Sequence, residues 1–262
     1  MKKFLLAALV LVLVIVAAAV YTLNDAGSLI KTQIEKHGSA FLGTTVAVKN
    51  VDLSLSEGRL TISGTQIRNP QGFSDDNAFA LSEITLDLGS ISSEPYTVQN
   101  INIDAPEVLY EVDASGKGNL LVLKDNLTAN LPESEGETAP ASESSSEPGP
   151  LVIVEKMTVS NVKLRLNFDA LETGDLDIKQ KSYDVTLPTF TASGIGKPNG
   201  LPAEQIGAEI AKVMLDNILE QAKAEAKKKL EEAAKQKLKD AVEEKSDELK
   251  DKAKEKLGSL FN

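Results

Sequence analysis

The 262-residue chain has no cysteine, no tryptophan and a single histidine, His37, and each absence removes a class of chemistry. Without thiols there can be no disulfide, thiolate metal site or cysteine nucleophile. One imidazole cannot supply a histidine-based zinc site, and His37, with Glu35 nearby, is expected to be structural or solvent-facing. Aromatic residues are few, 7 Phe and 4 Tyr, so a core must be aliphatic, and its many β-branched members favour pleated surfaces. Basic residues are outnumbered, 28 Lys and Arg against 39 Asp and Glu. The net charge of -11 argues against a nucleic-acid partner, because phosphate neutralisation needs clustered cations. The glycines form no phosphate cradle: Gly194-Ile195-Gly196-Lys197 lacks the spacing of a P-loop or a dinucleotide fingerprint and reads as the end of a strand. Carboxylates are plentiful enough for a paired-carboxylate hydrolase, but Asp52 and Asp87 fall on the polar side of strand alternation. Asn126-Leu127-Thr128 matches an N-glycosylation acceptor, a pattern too short to carry weight alone. No catalytic group, cofactor or metal is expected.

Against these absences stands one long apolar run. Lys2 and Lys3 precede Phe4 to Leu23, which spans a bilayer core of about 30 Å at about 1.5 Å per helical residue. The two lysines hold the start on the cytoplasmic side, so the remainder is exported. Ala17-Ala18-Ala19 also offers a small-residue cleavage site, which leaves a signal peptide as the competing reading. Residues 1–24 are read as a signal anchor because the run exceeds the 7 to 15 apolar residues usual in a signal peptide.

Ser28 to Leu42 has helical spacing, with Leu29, Ile30, Ile34 and Phe41 apolar, and ends at Gly43. From Thr44 the period becomes two, through Val46, Val48, Val51, Leu53 and Leu55, then Leu60 and Ile62 after a Ser56-Glu57-Gly58 turn. Between Val48 and Val51 the apolar phase slips by one residue, which a bulge or bend near Asn50 would repair. The pattern V-x-N-[VI]-x-[LI] recurs at Val48, Val98 and Val159, either as an internal repeat or by coincidence among short β-type segments. Residues 25–131 form a first β region and 151–200 a second. Between them, 132–150 is an acidic Ser/Pro/Glu segment that cannot bury enough apolar surface to order itself.

Residues 201–262 change character, with Lys, Glu, Ala and Leu at helical spacing. Ile206, Ile210, Val213, Met214, Ile218 and Leu219 form an apolar stripe. Further on, the stripe thins to an 11-residue spacing of leucines. Such a helix could pair with an envelope protein partner, lie on a membrane surface, or remain solvated.

Five segments in order, V-A-V-K-N-V-D-L-S-L, G-R-L-T-I-S-G-T-Q-I-R-N-P-Q-G-F, A-F-A-L-S-E-I-T-L-D-L, I-N-I-D-A-P-E-V-L-Y-E and G-K-G-N-L-L-V-L, together resemble the amino-terminal region of the AsmA family. They cover Gly43 to Leu123. The resemblance implies a mainly β protein with α elements, in which a curled antiparallel β-sheet forms a groove on the periplasmic side of the bacterial inner membrane. It also implies a non-enzymatic role with membrane lipid, phospholipid acyl chains above all, in outer-membrane biogenesis. The chain is short beside bridge-forming relatives, which argues against a complete intermembrane conduit. The groove lining is expected from Val48, Val51, Leu53, Leu55, Leu60, Ile62, Ile84, Leu86, Leu88, Ile101 and Ile103. The alternative is that these residues form an ordinary core packed on the helix at Ile206 to Leu219.

Overall fold

The computed structural model describes residues 26–90, 92–130, 150–171 and 180–260. The anchor reading of Phe4 to Leu23 and nearly all of the acidic segment 132–150 lie outside the described residues. Among the described residues, no helix is long and apolar enough to cross a membrane.

Among the described residues, the architecture is a mixed β-sheet carrying three helices. The elements run α1 (Ala26–Leu42), β1 (Val46–Ala47), β2 (Asn50–Ser54), β3 (Arg59–Arg68), β4 (Asn77–Leu88), β5 (Tyr96–Asp104), β6 (Glu107–Glu111) and α2 (Asn119–Asn130). They continue with β7 (Leu151–Ser160), β8 (Lys163–Asn167), β9 (Ser182–Thr186), β10 (Phe190–Ile195), β11 (Leu201–Pro202) and α3 (Ala203–Leu260). At about 1.5 Å per residue, α3 measures about 87 Å.

Several short strands are halves of longer bent ones. β1 and β2 pair with β3 in one unbroken register, and β5 and β6 share one register against β4 apart from a shift at its end between Asp87 and Leu88. β7 and β8 follow β5 and β6 at one constant offset, and β9 and β10 do the same against β8 and β7. Neighbours therefore follow chain order from the β1–β2 edge to the β9–β10 edge. Every step is antiparallel except one: β5 with β7, and β6 with β8, are parallel. This corrects the expectation of a purely antiparallel sheet. The reason is the connection, since the chain leaves β6 through α2 and returns at β7, and such a crossover lets the next strand run in the same direction.

The bends align into a crease across the sheet. Lys49, Gly64, Ser82, Ala105, Asn161 and Pro188 occupy one cross-strand row. On either side of it the inward residues are three apart instead of two: Val48 and Val51, Ile62 and Thr65, Leu81 and Ile84, Ile103 and Pro106, Val159 and Val162, Leu187 and Phe190. A slip of one residue in a single strand would expose its apolar set, but a slip made in every strand at the same row keeps one face inward. Backbone geometry absorbs it: Gly64 has φ +66°, Ala105 +47° and Asn161 +54°. The Lys49 amide is shared between the carbonyls of Ser63 at 3.1 Å and Gly64 at 3.3 Å. The irregularity expected near Asn50 is thus one member of this row. The first and third V-x-N copies lie on it, while the second coincides with a separate register shift opposite Asp87 and Leu88.

The helices cover the inward face. α1 lies over β1 and β2, α2 over β6 between the other two helices, and α3 over β7, β8, β10 and β11. The edge is managed by α1 side chains: Glu35 Oε1 accepts from the Val48 amide at 2.8 Å and Ser39 Oγ from the Val46 amide at 2.9 Å. Satisfying edge amides in this way removes a template for strand addition. Asn126 and Asn130 of α2 donate to the carbonyls of Leu42 and Phe41 at 2.9 and 3.0 Å, closing the C-terminal end of α1. Lys124 of α2 pairs with Asp216 of α3 at 2.5 Å. His37 is buried, and its Nε2 meets Gln33 Oε1 at 2.9 Å.

Candidate functional site

Where the three helices meet the sheet, an apolar cavity of about 140 Å³ remains. Ile34, Gly38, Phe41 and Leu42 of α1 form one wall, and Gly207, Ala208, Ile210, Ala211 and Met214 of α3 the opposite one. Its floor is Val46, Thr65, Ile67, Leu81, Ile84, Leu86, Ile101 and Ile103, and Leu127 of α2 closes one side. The space exists because the facing helical positions are small: Gly38, Gly207, Ala208 and Ala211 leave volume that Leu or Ile would fill. Gly38, Ile84, Ala211 and Met214 are only half-buried, which marks where the cavity reaches the surface.

Ile84, Leu86, Ile101 and Ile103 from the expected groove lining come together in this cavity, joined by Ile210 and Met214 from the helical stripe. The rest lie elsewhere. Val48, Val51, Leu60 and Ile62 are buried in the general core, Leu53 and Leu88 pack half-buried against it, and Leu55 is half-buried in the turn after β2. Ile206, Ile218 and Leu219 are buried, and Val213 is half-buried beside them. Sequence reasoning missed the α1 wall, the small residues of α3 and Thr65. A signal existed in Gly207-Ala208 and Ala211, small residues on the inward face of a stripe otherwise made of large ones.

Thr65 is the one polar side chain in the lining; it is 7% exposed, and its Oγ1 has no hydrogen-bond partner. A buried hydroxyl without a partner is costly, and native interiors seldom tolerate one.

A second buried polar cluster is fully satisfied. Asn69 opens the Asn69-Pro70-Gln71-Gly72-Phe73 loop, and its Nδ2 donates to Glu111 Oε2 at 2.9 Å. Ser74 donates to the same carboxylate from its hydroxyl at 2.7 Å and its amide at 3.2 Å. Asn119, fully buried, accepts from the Glu111 and Leu120 amides at 3.0 and 2.8 Å. It donates to Asn69 Oδ1 at 2.7 Å and the Leu109 carbonyl at 2.8 Å. The Asn-Pro-Gln-Gly-Phe and Gly-Lys-Gly-Asn segments are thus joined into one lock that fixes the start of α2.

On the outer face, a polar cleft of about 520 Å³ runs along β6, β8 and β9. Four of its charges are exposed and paired, Lys163 with Glu107 at 3.8 Å and Arg165 with Asp184 at 3.3 Å, and Asp76 adds an exposed carboxylate in no ion pair among the described residues. Such exposed pairs contribute little, and one further surface carboxylate does not make a site. Burial raises the pKa of Tyr110, which places a neutral phenol beside the lock. Among the described residues, no group of three or more His, Asp or Glu is arranged to hold a metal ion.

Comparison with family models, with curated proteins and with solved structures finds no match for this chain.

Proposed function

We propose that the chain is a non-enzymatic, AsmA-like protein of the bacterial envelope that receives part of a lipid acyl chain between α1, α3 and the central strands. The observation that carries this reading is the apolar cavity at Ile84, Leu86, Ile101 and Ile103, left open by small helical residues in an otherwise filled interior. Its size sets the scale. Cavities near 150 Å³ lined by aliphatic groups stay dry and accept a molecule the size of benzene, so this one accommodates about six carbons. At about 0.8 kcal/mol per buried methylene, that amounts to at most about 5 kcal/mol, a sub-millimolar site. The protein therefore holds the end of a chain that stays mostly in its membrane. It does not extract a whole lipid.

The anchor reading gives this site its place. Phe4 to Leu23 ends just before α1 begins at Ala26, so the helix that forms the cavity wall follows the membrane segment directly. With the N-terminus cytoplasmic, the sheet and helices lie on the periplasmic side of the inner membrane.

The test is a photo-crosslinkable fatty acid incorporated into phospholipid in cells expressing the full chain. We expect labelling at α1 and α3 positions of the cavity, with at least a fivefold loss in Ala211→Phe, which fills the space from a half-buried position. Equal labelling in the two proteins would refute the reading.

A second reading rests on a different observation. Past the part of α3 that packs on the sheet, Leu238 and Val242, one helical turn apart, are 71% and 66% exposed. This favours an interaction role in which the distal helix meets a protein partner or a membrane surface. Removing residues 231–262 separates the two readings: lipid labelling that persists while cellular function is lost supports the second.

A further inference from the structure

The two outer edges of the sheet are finished differently. At one, side chains of α1 take up the Val46 and Val48 amides. At the other, β9 has β8 on one side and no strand on the other. Leu187 donates to the Val162 carbonyl at 2.9 Å and Phe168 to that of Lys181 at 2.8 Å, which sets the odd-numbered residues of β9 in bonded pairs with β8. The amides and carbonyls of Ser182, Asp184 and Thr186 therefore point off the edge. Among the described residues one of these groups is met, the Ser182 carbonyl, which accepts from Gln180 Nε2 at 3.0 Å. Open edges are normally blunted by lysine, by proline or by a cover. From Ser182 to Ile195 there is no lysine or arginine, and the single carboxylate, Asp184, is taken by Arg165 at 3.3 Å. On the inward side of β9, Tyr183 and Val185 remain half-buried.

We infer that this edge pairs with its own copy: β9 of a second chain lies antiparallel to it about Val185, so that one sheet runs through two chains. The residues are self-complementary in this register. Asp184 faces Thr186 of the second copy and exchanges both backbone hydrogen bonds with it, and the relation repeats across the axis. On the outer face Asp184 then lies between Arg165 and the Thr186 hydroxyl of the second copy, behind which stands Lys163, so no like charges meet. Pro188, which has no amide, falls opposite Ser182, whose carbonyl is already taken by Gln180. On the inward face Val185 meets Val185 and Tyr183 meets Leu187, which covers the half-buried pair. Other registers lose these matches. Sliding by two residues sets Asp184 against Asp184 or against Pro188, and sliding by one opposes groups that already serve β8. The inference stands apart from the acyl-chain reading and uses none of the cavity residues.

The chain has no cysteine, so single introduced cysteines report position directly. Opposed residues in a non-hydrogen-bonded pair have Cα atoms about 4.5 Å apart, within the span of a disulfide. In the full chain held in detergent under mild oxidation, we expect Val185→Cys to form a disulfide-linked dimer about tenfold faster than Ser182→Cys, which lies opposite Pro188 instead of itself and so beyond the limit of about 7 Å. Sedimentation of the cysteine-free chain should give a dimer. Its dissociation constant should rise about tenfold or more in Thr186→Pro, which removes an amide that β8 does not use, and in Val185→Lys, which sets like charges on the axis. Unchanged far-ultraviolet circular dichroism in the two variants separates loss of pairing from loss of fold. A monomeric wild type, equal crosslinking of Val185→Cys and Ser182→Cys, or dimers undiminished in both edge variants overturns the inference. So does an adduct of Val185→Cys with a different polypeptide in membranes of cells expressing the chain.

Discussion

Two buried polar positions in one sheet have opposite bookkeeping. Around Glu111, every donor and acceptor that the loop at Asn69 and the start of α2 bring inward is matched by another, and nothing is left for a ligand to do. At Thr65 the surroundings are aliphatic and the hydroxyl is unmatched. The first arrangement is what a structural lock requires, because a half-satisfied network is worse than an apolar core. The second leaves the cost of a buried hydroxyl uncompensated in an aliphatic wall. Burial of a polar group therefore does not by itself identify a site in this protein, because the lock is buried and complete.

The contrast can be broken from either side, and the largest effect is expected in the lock. Asn119→Ala strands the Glu111 amide, Asn69 Oδ1 and the Leu109 carbonyl together, and should cost about 3 kcal/mol or more in chemical denaturation. A loss below about 1 kcal/mol would mean that the network is ornamental. A smaller loss, about 1–2 kcal/mol, is expected from Gly64→Ala. That position has φ +66°, and an added Cβ would approach Lys49 Cβ to 2.7 Å. Crosslinking at the cavity should fall with it, because the crease positions the Thr65 side chain. Thr65→Val should reverse the sign, raising stability by up to about 1 kcal/mol in the empty protein, since it deletes a hydroxyl that is buried for no internal gain. If Thr65→Val destabilises instead, the hydroxyl has a partner in solution and the contrast with Glu111 disappears.

How much of this could be read in the residues depends on range. Alternation is local, so the phase slip between Val48 and Val51 showed that a bend was needed, and the same signature at Val159 and Val162 marks the bend between β7 and β8. That all the slips fall in one row is a property of register, which no single strand contains. α2 was missed although Leu120, Leu123 and Leu127 are all buried on one helical face. The segment follows a Gly-Lys-Gly turn and is flanked by strands, so it reads as more of the same. The parallel pairing was invisible because it is set by the crossover through α2. The cavity was legible only in part: Ile84, Leu86, Ile101 and Ile103 follow from inward alternation, but which inward residues stay uncovered depends on where Gly38 and Ala211 bring the helices.

The smallest expected effect lies on the outer side of the same crease, where polar demand is met and is also titratable. Asp104 accepts from the Ser160 hydroxyl at 2.6 Å and the Asn161 side-chain amide at 2.7 Å, which holds together the two bends at Ala105 and Asn161. The Ser160 hydrogen bond, then that of Asn161, lowers its pKa below the ordinary 3.8. The folded chain thus favours the ionised carboxylate, so its contribution to stability is full above the unfolded value and is lost as pH falls through the folded one. Wild type and Asp104→Asn should differ by a constant amount in denaturation midpoint from neutral pH to about pH 5, then converge under stronger acid. The carboxylate is solvent-exposed, so the gap should be modest and should narrow with added salt. A gap that persists unchanged into strong acid would mean that the crease is held by the shape of Asn161 alone, and its inner face at Thr65 would then owe nothing to charge on its outer one.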